Sequence, residues 1–286
     1  VADKTQIRAF HPATNYHKLA RVRNPGKGAA MSWDPSQYLK FAGHRLRPAI
    51  DLLNRIPVDA PAQVVDLGCG TGNVTRLIEQ RWPAAKLTGV DSSADMLARA
   101  GDESPSITWL AADIARWQPD KPVDVLYSNA ALHWLGDHQG LFAHLFAQVR
   151  VGGFLAVQMP RNFAAPSHIT INALAEDPRW QAQLAPLIKP APTQPPGFYY
   201  DVLAKDAVSI DIWETEYLQA LEGDDPVAEW TKGTWLRPFL DALEGADQTA
   251  FEEAYRARMR AAYPRRPDGR TLFPFRRLFL IAERAG

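Results

Sequence analysis

Residues 64–72 run Val-Val-Asp-Leu-Gly-Cys-Gly-Thr-Gly, and an acid, Asp91, follows the last of these glycines by nineteen positions. Val64–Leu67 is a short apolar run of the kind that forms a buried parallel strand. Gly68, Gly70 and Gly72 let the backbone turn tightly and approach a ligand where a Cβ would collide. Val74, Leu77, Ile78 and Trp82 then recur at helical spacing, so a helix starts directly after the loop and aims its free N–H groups at whatever the loop holds. A second apolar run, Leu87–Val90, ends at Asp91, where a carboxylate can accept both hydroxyls of a ribose. A dinucleotide fingerprint would need Gly-x-Gly-x-x-Gly, and its third glycine position is Asn73 here. Asp66, two places before Gly68, adds a negative charge that suits an ammonium or sulfonium ligand and opposes a pyrophosphate.

S-adenosyl-L-methionine carries both cations and a ribose, and the pattern Asp-x-Gly-x-Gly-x-Gly with a strand-ending Asp resembles the signature of class I methyltransferases. The rest of the N-terminal half agrees. Further strands are expected at Ile107–Ala112, Val123–Ser128 and Phe154–Met159, the last entered through Gly152-Gly153. Helices at about Ala94–Ala100 and Leu141–Gln148 join them. Such alternation gives an α/β fold, a doubly wound and mostly parallel sheet, whose ligands sit beyond the carboxyl ends of the strands. Asp66, Asp91, Asp113 and Asn129 all fall at such ends. After Met159 the alternation stops. Two late strand-like runs, Val208–Tyr217 and Leu272–Ala282, suit the pair that completes a seven-stranded Rossmann-like sheet. Segments at about 161–200 and 225–263 are expected to form a helical substrate lid.

Lys plus Arg equals Asp plus Glu, at 32 each, so no global field favours nucleic acid or an anionic membrane. The single cysteine, Cys69, cannot make an internal disulfide and fits a reducing cytoplasm. No apolar run reaches the ~20 residues that span a bilayer, and no Cys/His cluster has metal-binding spacing. Residues 1–30 carry six basic side chains against one acid. They are expected to be a leader or extension with no part in the chemistry, the working domain being 31–286. Asp34 and Pro35 open a helix on which Tyr38, Phe41 and Arg45 share a face. Arg47-Pro48 breaks it, and a second helix runs to about Asn54.

In the methyltransferase reading Asp113 accepts the adenine amino group, and Ile114 and Met96 cover the two ring faces. Ser92 either bonds a ribose hydroxyl or caps the next helix. Asn129 holds the methionine end through its backbone carbonyl, and Arg45, Asp66, Gly68, Gly70, Gly72 and Asp91 complete the cofactor set. His133 is the natural general base for a hydroxyl or amine acceptor; a carboxylate acceptor needs no acid or base, because it is already ionised. Arg161, Arg237, Arg276 and Arg277 flank the expected cleft, where an arginine fork matches a carboxylate. Arg237 ranks first and Arg161 second. Tyr38, His133, Tyr199 and Trp230 join them as substrate contacts.

Ser32-Trp-Asp-Pro-Ser-Gln-Tyr-Leu-Lys-Phe and Arg45-Leu-Arg-Pro closely resemble the opening of the trans-aconitate 2-methyltransferase family. So do Gln80-Arg-Trp-Pro-Ala-Ala, Gly89-Val-Asp-Ser-Ser, Ala112-Asp-Ile, Leu155-Ala-Val-Gln-Met-Pro, Asp211-Ile-Trp and Gly233-Thr-Trp-Leu-Arg-Pro. The likeness covers about residues 32–284. It implies an S-adenosyl-L-methionine-dependent enzyme that forms a methyl ester on a small anionic polycarboxylic acid and releases S-adenosyl-L-homocysteine. Another acid or a malonyl-type thioester is the alternative acceptor, and a non-catalytic binding module the alternative class.

Overall fold

A computed structural model describes Gly43 and residues 46–286 of the chain. The 1–30 stretch, the helix expected from Asp34, Tyr38 and Arg45 lie outside the described residues. Each of the first five strands feeds a helix or helical turn except the last. In order they are β1 (Gln63–Leu67), β2 (Lys86–Asp91), β3 (Thr108–Ala111), β4 (Val123–Asn129) and β5 (Val149–Pro160). Helices α1 (Arg47–Arg55), α2 (Asn73–Arg81), α3 (Ala94–Glu103) and α4 (His138–Ala147) alternate with them. β6 (Ala207–Leu221) and β7 (Thr271–Arg284) close a seven-stranded sheet of order β3-β2-β1-β4-β5-β7-β6. β1 to β5 run parallel; β7 runs antiparallel to both of its neighbours. The strand order reverses between β1 and β4, where open α/β sheets bind ligands.

The differences from the sequence reading have local causes. β3 is shorter than Ile107–Ala112, because it is an edge strand paired only with β2. β5 starts at Val149 rather than Phe154; its register against β4 shifts near Val123/Val125, and Gly152 (φ 69°) absorbs the irregularity. α4 begins three residues early, because Asp137 caps it by accepting the Gly140 N–H at 3.1 Å.

Two apolar cores divide the molecule. The first packs β1, β4 and β5 against α4 through Leu67, Leu126, Leu155, Phe142 and Phe146. The second lies beyond the sheet, on the far ends of β6 and β7. There Phe273 and Phe275 meet α5 (Pro166–Ala175), α8 (Pro226–Lys232), α9 (Arg237–Asp241) and α10 (Gly245–Ala262). Trp180, just before the short α6 (Gln181–Leu184), stands edge-on to Phe251 in this core, 5.2 Å between ring centres. The stretch 161–200 is therefore not one lid segment. α5 belongs to the second core, whereas Tyr199 and Leu203 of α7 (Pro196–Leu203) are buried in the first.

Candidate active site

The glycine loop folds onto the end of β2. Gly68 and Cys69 donate their N–H groups to the Val90 carbonyl at 2.7 and 3.1 Å, and Gly70 donates to Asp91 Oδ2 at 2.9 Å. Gly68, Gly70 and Gly72 have φ of 74°, 56° and 77°. Gly68 also meets a steric demand. A Cβ there would lie 2.2 Å from Ala131 Cβ, so the turn after β4 packs directly on the loop. Ala130 itself sits at φ 54°, a strained value for a residue with a Cβ, and its N–H is held by the Gln158 carbonyl at 2.9 Å.

Around this loop the expected cofactor residues converge. Asp91 Oδ1 accepts the Ser93 N–H at 2.9 Å, so each carboxylate oxygen has one backbone partner and keeps a lone pair for a ligand. Asp113 is exposed and caps the following helical turn through the Ala115 N–H at 3.0 Å; Ile114 behind it is buried. Met96 is 47% exposed, and its sulfur lies 3.7 Å from the position a Cβ on Gly70 would take, so it stands at the rim of the loop. Ser92 is exposed and the cap of α3 is its neighbour Ser93, which accepts the Met96 N–H at 3.4 Å. Of the two roles for Ser92, capping is taken by another residue. Asp66 is sealed beneath the loop, 2% exposed, and accepts a 2.6 Å hydrogen bond from Thr75. Burial, with Asp91 adding repulsion, pushes its carboxyl up to about 7. Asn129 Oδ1 is buried with no hydrogen-bond partner among the described residues. Positive-φ glycines, an acid with spare lone pairs and an orphaned amide oxygen at one switch point fit an adenosyl ligand with a polar tail.

A cavity of about 320 Å³ adjoins Asn129 and Ala130 and is walled by Phe163, Trp230, Trp235 and Phe275. His133, His168 and Arg277 supply its polar lining. His133 is 5% exposed, and its Nδ1 has no hydrogen-bond partner among the described residues. Burial, then the nearby Arg277 and His138 charges, pushes its imidazole down to about 3. His168 touches Ser167 Oγ at 3.0 Å through Nδ1, and burial lowers it to about 4. Both rings are neutral at neutral pH. Arg277 is 6% exposed; its guanidinium lies over the Phe275 ring and 3.5 Å from Gln158 Oε1. Its N-terminal neighbour Arg276 points outward, 52% exposed, toward Glu216.

Three expected substrate contacts are not brought to this cavity. Arg237 is 63% exposed and pairs with Asp241 at 2.8 Å on the outer face of α9, although Trp235 beside it lines the cavity. Arg161 is engaged by Glu214 and by the Gln194 carbonyl, 3.2 Å away. Tyr199 is fully buried beneath α4. Because a carbonyl can only accept, His138 Nε2 donates to Leu132 O (3.1 Å), and its Nδ1 must accept from the Tyr199 hydroxyl (2.8 Å), which in turn accepts the Gln194 N–H at 3.0 Å. That hydroxyl is an internal brace. Of the four arginines expected to flank the cleft, Arg277 lines this cavity, by virtue of its place in β7. Phe275, Arg277 and Phe279 alternate on one strand face, so this arginine had to share the burial of its aromatic neighbours. His168, Phe163 and Trp235 carried no periodic signal.

A family model described as a methyltransferase domain matches residues 64–153. The fold is shared with the phosphoethanolamine N-methyltransferase 2 of Haemonchus contortus, solved in complex with S-adenosyl-L-methionine. That likeness has a TM-score of 0.52 and 14% identity, covering 87% of this chain and 56% of that one. Sheet order, glycine loop and strand-end acids together define a class I S-adenosyl-L-methionine-dependent methyltransferase. The trans-aconitate 2-methyltransferase of Azoarcus sp. (strain BH72) is 48% identical over 88% of this chain and 99% of its own length. That of Rhodopseudomonas palustris (strain BisB18) is 45% identical over 87% and 98%. The chain belongs to the trans-aconitate 2-methyltransferase family.

Proposed function

We propose that the chain forms a methyl ester on a carboxylate of a small polycarboxylic acid, trans-aconitate first among candidates, in the cytoplasm. One observation carries the choice of acceptor: the cavity beside Asn129 holds a buried cation, Arg277, and imidazoles too weakly basic to take a proton at neutral pH. A hydroxyl or amine acceptor would need a base there. A carboxylate arrives ionised and needs only to be held and aimed. When bound, S-adenosyl-L-methionine supplies a methyl group on a sulfonium, open to attack by an oxygen. Asp91 would accept the ribose hydroxyls, and Asp113 the adenine amino group, with Ile114 and Met96 on the ring faces. The glycine loop leaves room for the tail. Asn129 would hold the amino-acid end through its carbonyl, with its orphaned side-chain oxygen in reserve. The aromatic walls exclude water and strengthen the attraction of Arg277 for an anion. The cytoplasmic placement is supported by a single, buried cysteine and by the absence, among the described residues, of any helix long and apolar enough to cross a membrane. Incubation with methyl-labelled S-adenosyl-L-methionine and a panel of di- and tricarboxylates, with mass spectrometry of the product, tests the reading. A labelled ester of trans-aconitate is expected. Label transferred only to hydroxyl, amine or thioester-bearing acceptors would reject it.

A further inference from the structure

Resting on carboxyl methylation as the activity, we propose that Arg277 is the binding site for a second, non-reacting carboxylate of the acceptor, so that the enzyme selects acids by the charge that is not methylated. The sheet register gives the neighbourhood. Arg277 faces Pro160 across β5 and β7, its guanidinium reaches back to Gln158, and Gln158 is paired in register with Asn129. Arg277 therefore lines the same cavity as Asn129 and Ala130 at the end of β4. The turn of β4 that touches the glycine loop, Ala130–Ala131, marks where the reacting oxygen must come.

Chemistry gives the same assignment. A guanidinium paired with the attacking carboxylate would draw negative charge away from the nucleophilic oxygen. Paired with a spectator carboxylate, it anchors the acid and leaves the attacking oxygen its charge. His133 and His168 border the same cavity as neutral rings and add polar contacts without a competing positive charge. Phe163, Trp230, Trp235 and Phe275 make the surroundings apolar, which magnifies the difference between an anionic and a neutral group at that point.

Initial rates of the full chain at saturating S-adenosyl-L-methionine would compare trans-aconitate with its mono-carboxamides. In the wild type at least one amide should still be methylated, with kcat/KM lower by about ten- to a hundredfold and most of the change in KM. Arg277→Met should remove the preference by lowering the rate on the triacid. Arg277→Lys should restore part of it, because a point charge does not reproduce the fork. Cofactor affinity by calorimetry should stay within about twofold in both variants, which also reports folding. A wild type indifferent to the amide replacement overturns the subsite while leaving carboxyl methylation intact, as does a preference that survives in Arg277→Met. Methylation of neither acid nor amide overturns both readings. If Arg277→Met fails to fold, the wild-type comparison and Arg277→Lys still decide the matter.

Discussion

At the scale of single residues, Asp91 pins the glycine loop through Gly70 and keeps lone pairs on both carboxylate oxygens for a ligand. Asp91→Asn keeps one acceptor oxygen and loses the charge, so S-adenosyl-L-methionine affinity should fall about ten- to a hundredfold. Unchanged affinity by calorimetry in a folded variant would remove Asp91 from the cofactor site. His133 is held near 3 by burial and the Arg277 and His138 charges, so its ring is neutral and only weakly basic at neutral pH. His133→Gln should retain substantial turnover, and the wild-type pH–rate profile should lack a limb near ~6.5. A loss of several orders of magnitude with KM unchanged would show that a proton has to be removed. Arg237→Ala deletes an exposed i,i+4 pair, and the expected outcome is a KM within about twofold of wild type and a stability change below about 0.5 kcal/mol.

At the scale of elements, the packing of one indole explains why β2 and the loop tolerate so little. Trp109 of β3 lies in a groove made by two glycines. A Cβ on Gly89 would come within 2.4 Å of its ring, and one on Gly72 within 2.5 Å. Gly89→Ala should cost about 1–3 kcal/mol through overpacking, read as a lower urea midpoint. Gly136→Ala, where nothing lies within 4 Å, is the control and should stay within about 0.5 kcal/mol. Equal midpoints for the two variants would show that Trp109 yields freely. The elements also mark where sequence was informative. β1, the glycine loop, α2 and Asp91 were legible because strand, turn and helix each impose a different residue pattern within thirty positions. The late strands were legible from their β-branched and aromatic runs. The division of 161–200 between two cores was not, because α5 and α7 are short and bury their faces in different cores, with too few turns to print a period. Arg237 ranked first by its motif yet faces solvent, whereas Arg277, named at the cleft but ranked below it, is buried by the alternation of its aromatic run.

At the scale of the whole molecule, four buried ionisable groups set how stability depends on pH, and their signs oppose. His133 and His168 are depressed in the folded state to about 3 and about 4, below the ~6.5 of an unfolded chain, and burial lowers His138 as well. The stability they permit is present above ~6.5 and is lost as pH falls, because only the unfolded chain takes up their protons. Asp66 runs the other way. Its folded value is raised to about 7 from 3.8, so its contribution is present below 3.8 and is lost as pH rises toward 7. Between pH ~5 and ~6 the unfolded chain therefore holds these protons on three histidines, whereas the folded protein holds one on Asp66. The difference of at least one proton gives a slope of about 1.4 kcal/mol per pH unit or more, with the protein less stable on the acid side. Asp124 and Glu252, both lowered by basic partners, titrate below this window and stay out of it. Urea unfolding of the cofactor-free protein at several pH values in this range should show the midpoint falling on acidification. Asp66→Asn removes the opposing proton and should steepen the slope by about one proton, whereas His168→Asn should make it shallower by about one. A slope that His168→Asn leaves unchanged would place the ring in contact with water, and an unchanged slope in Asp66→Asn would mean that the acid beneath the glycine loop stays ionised without a ligand.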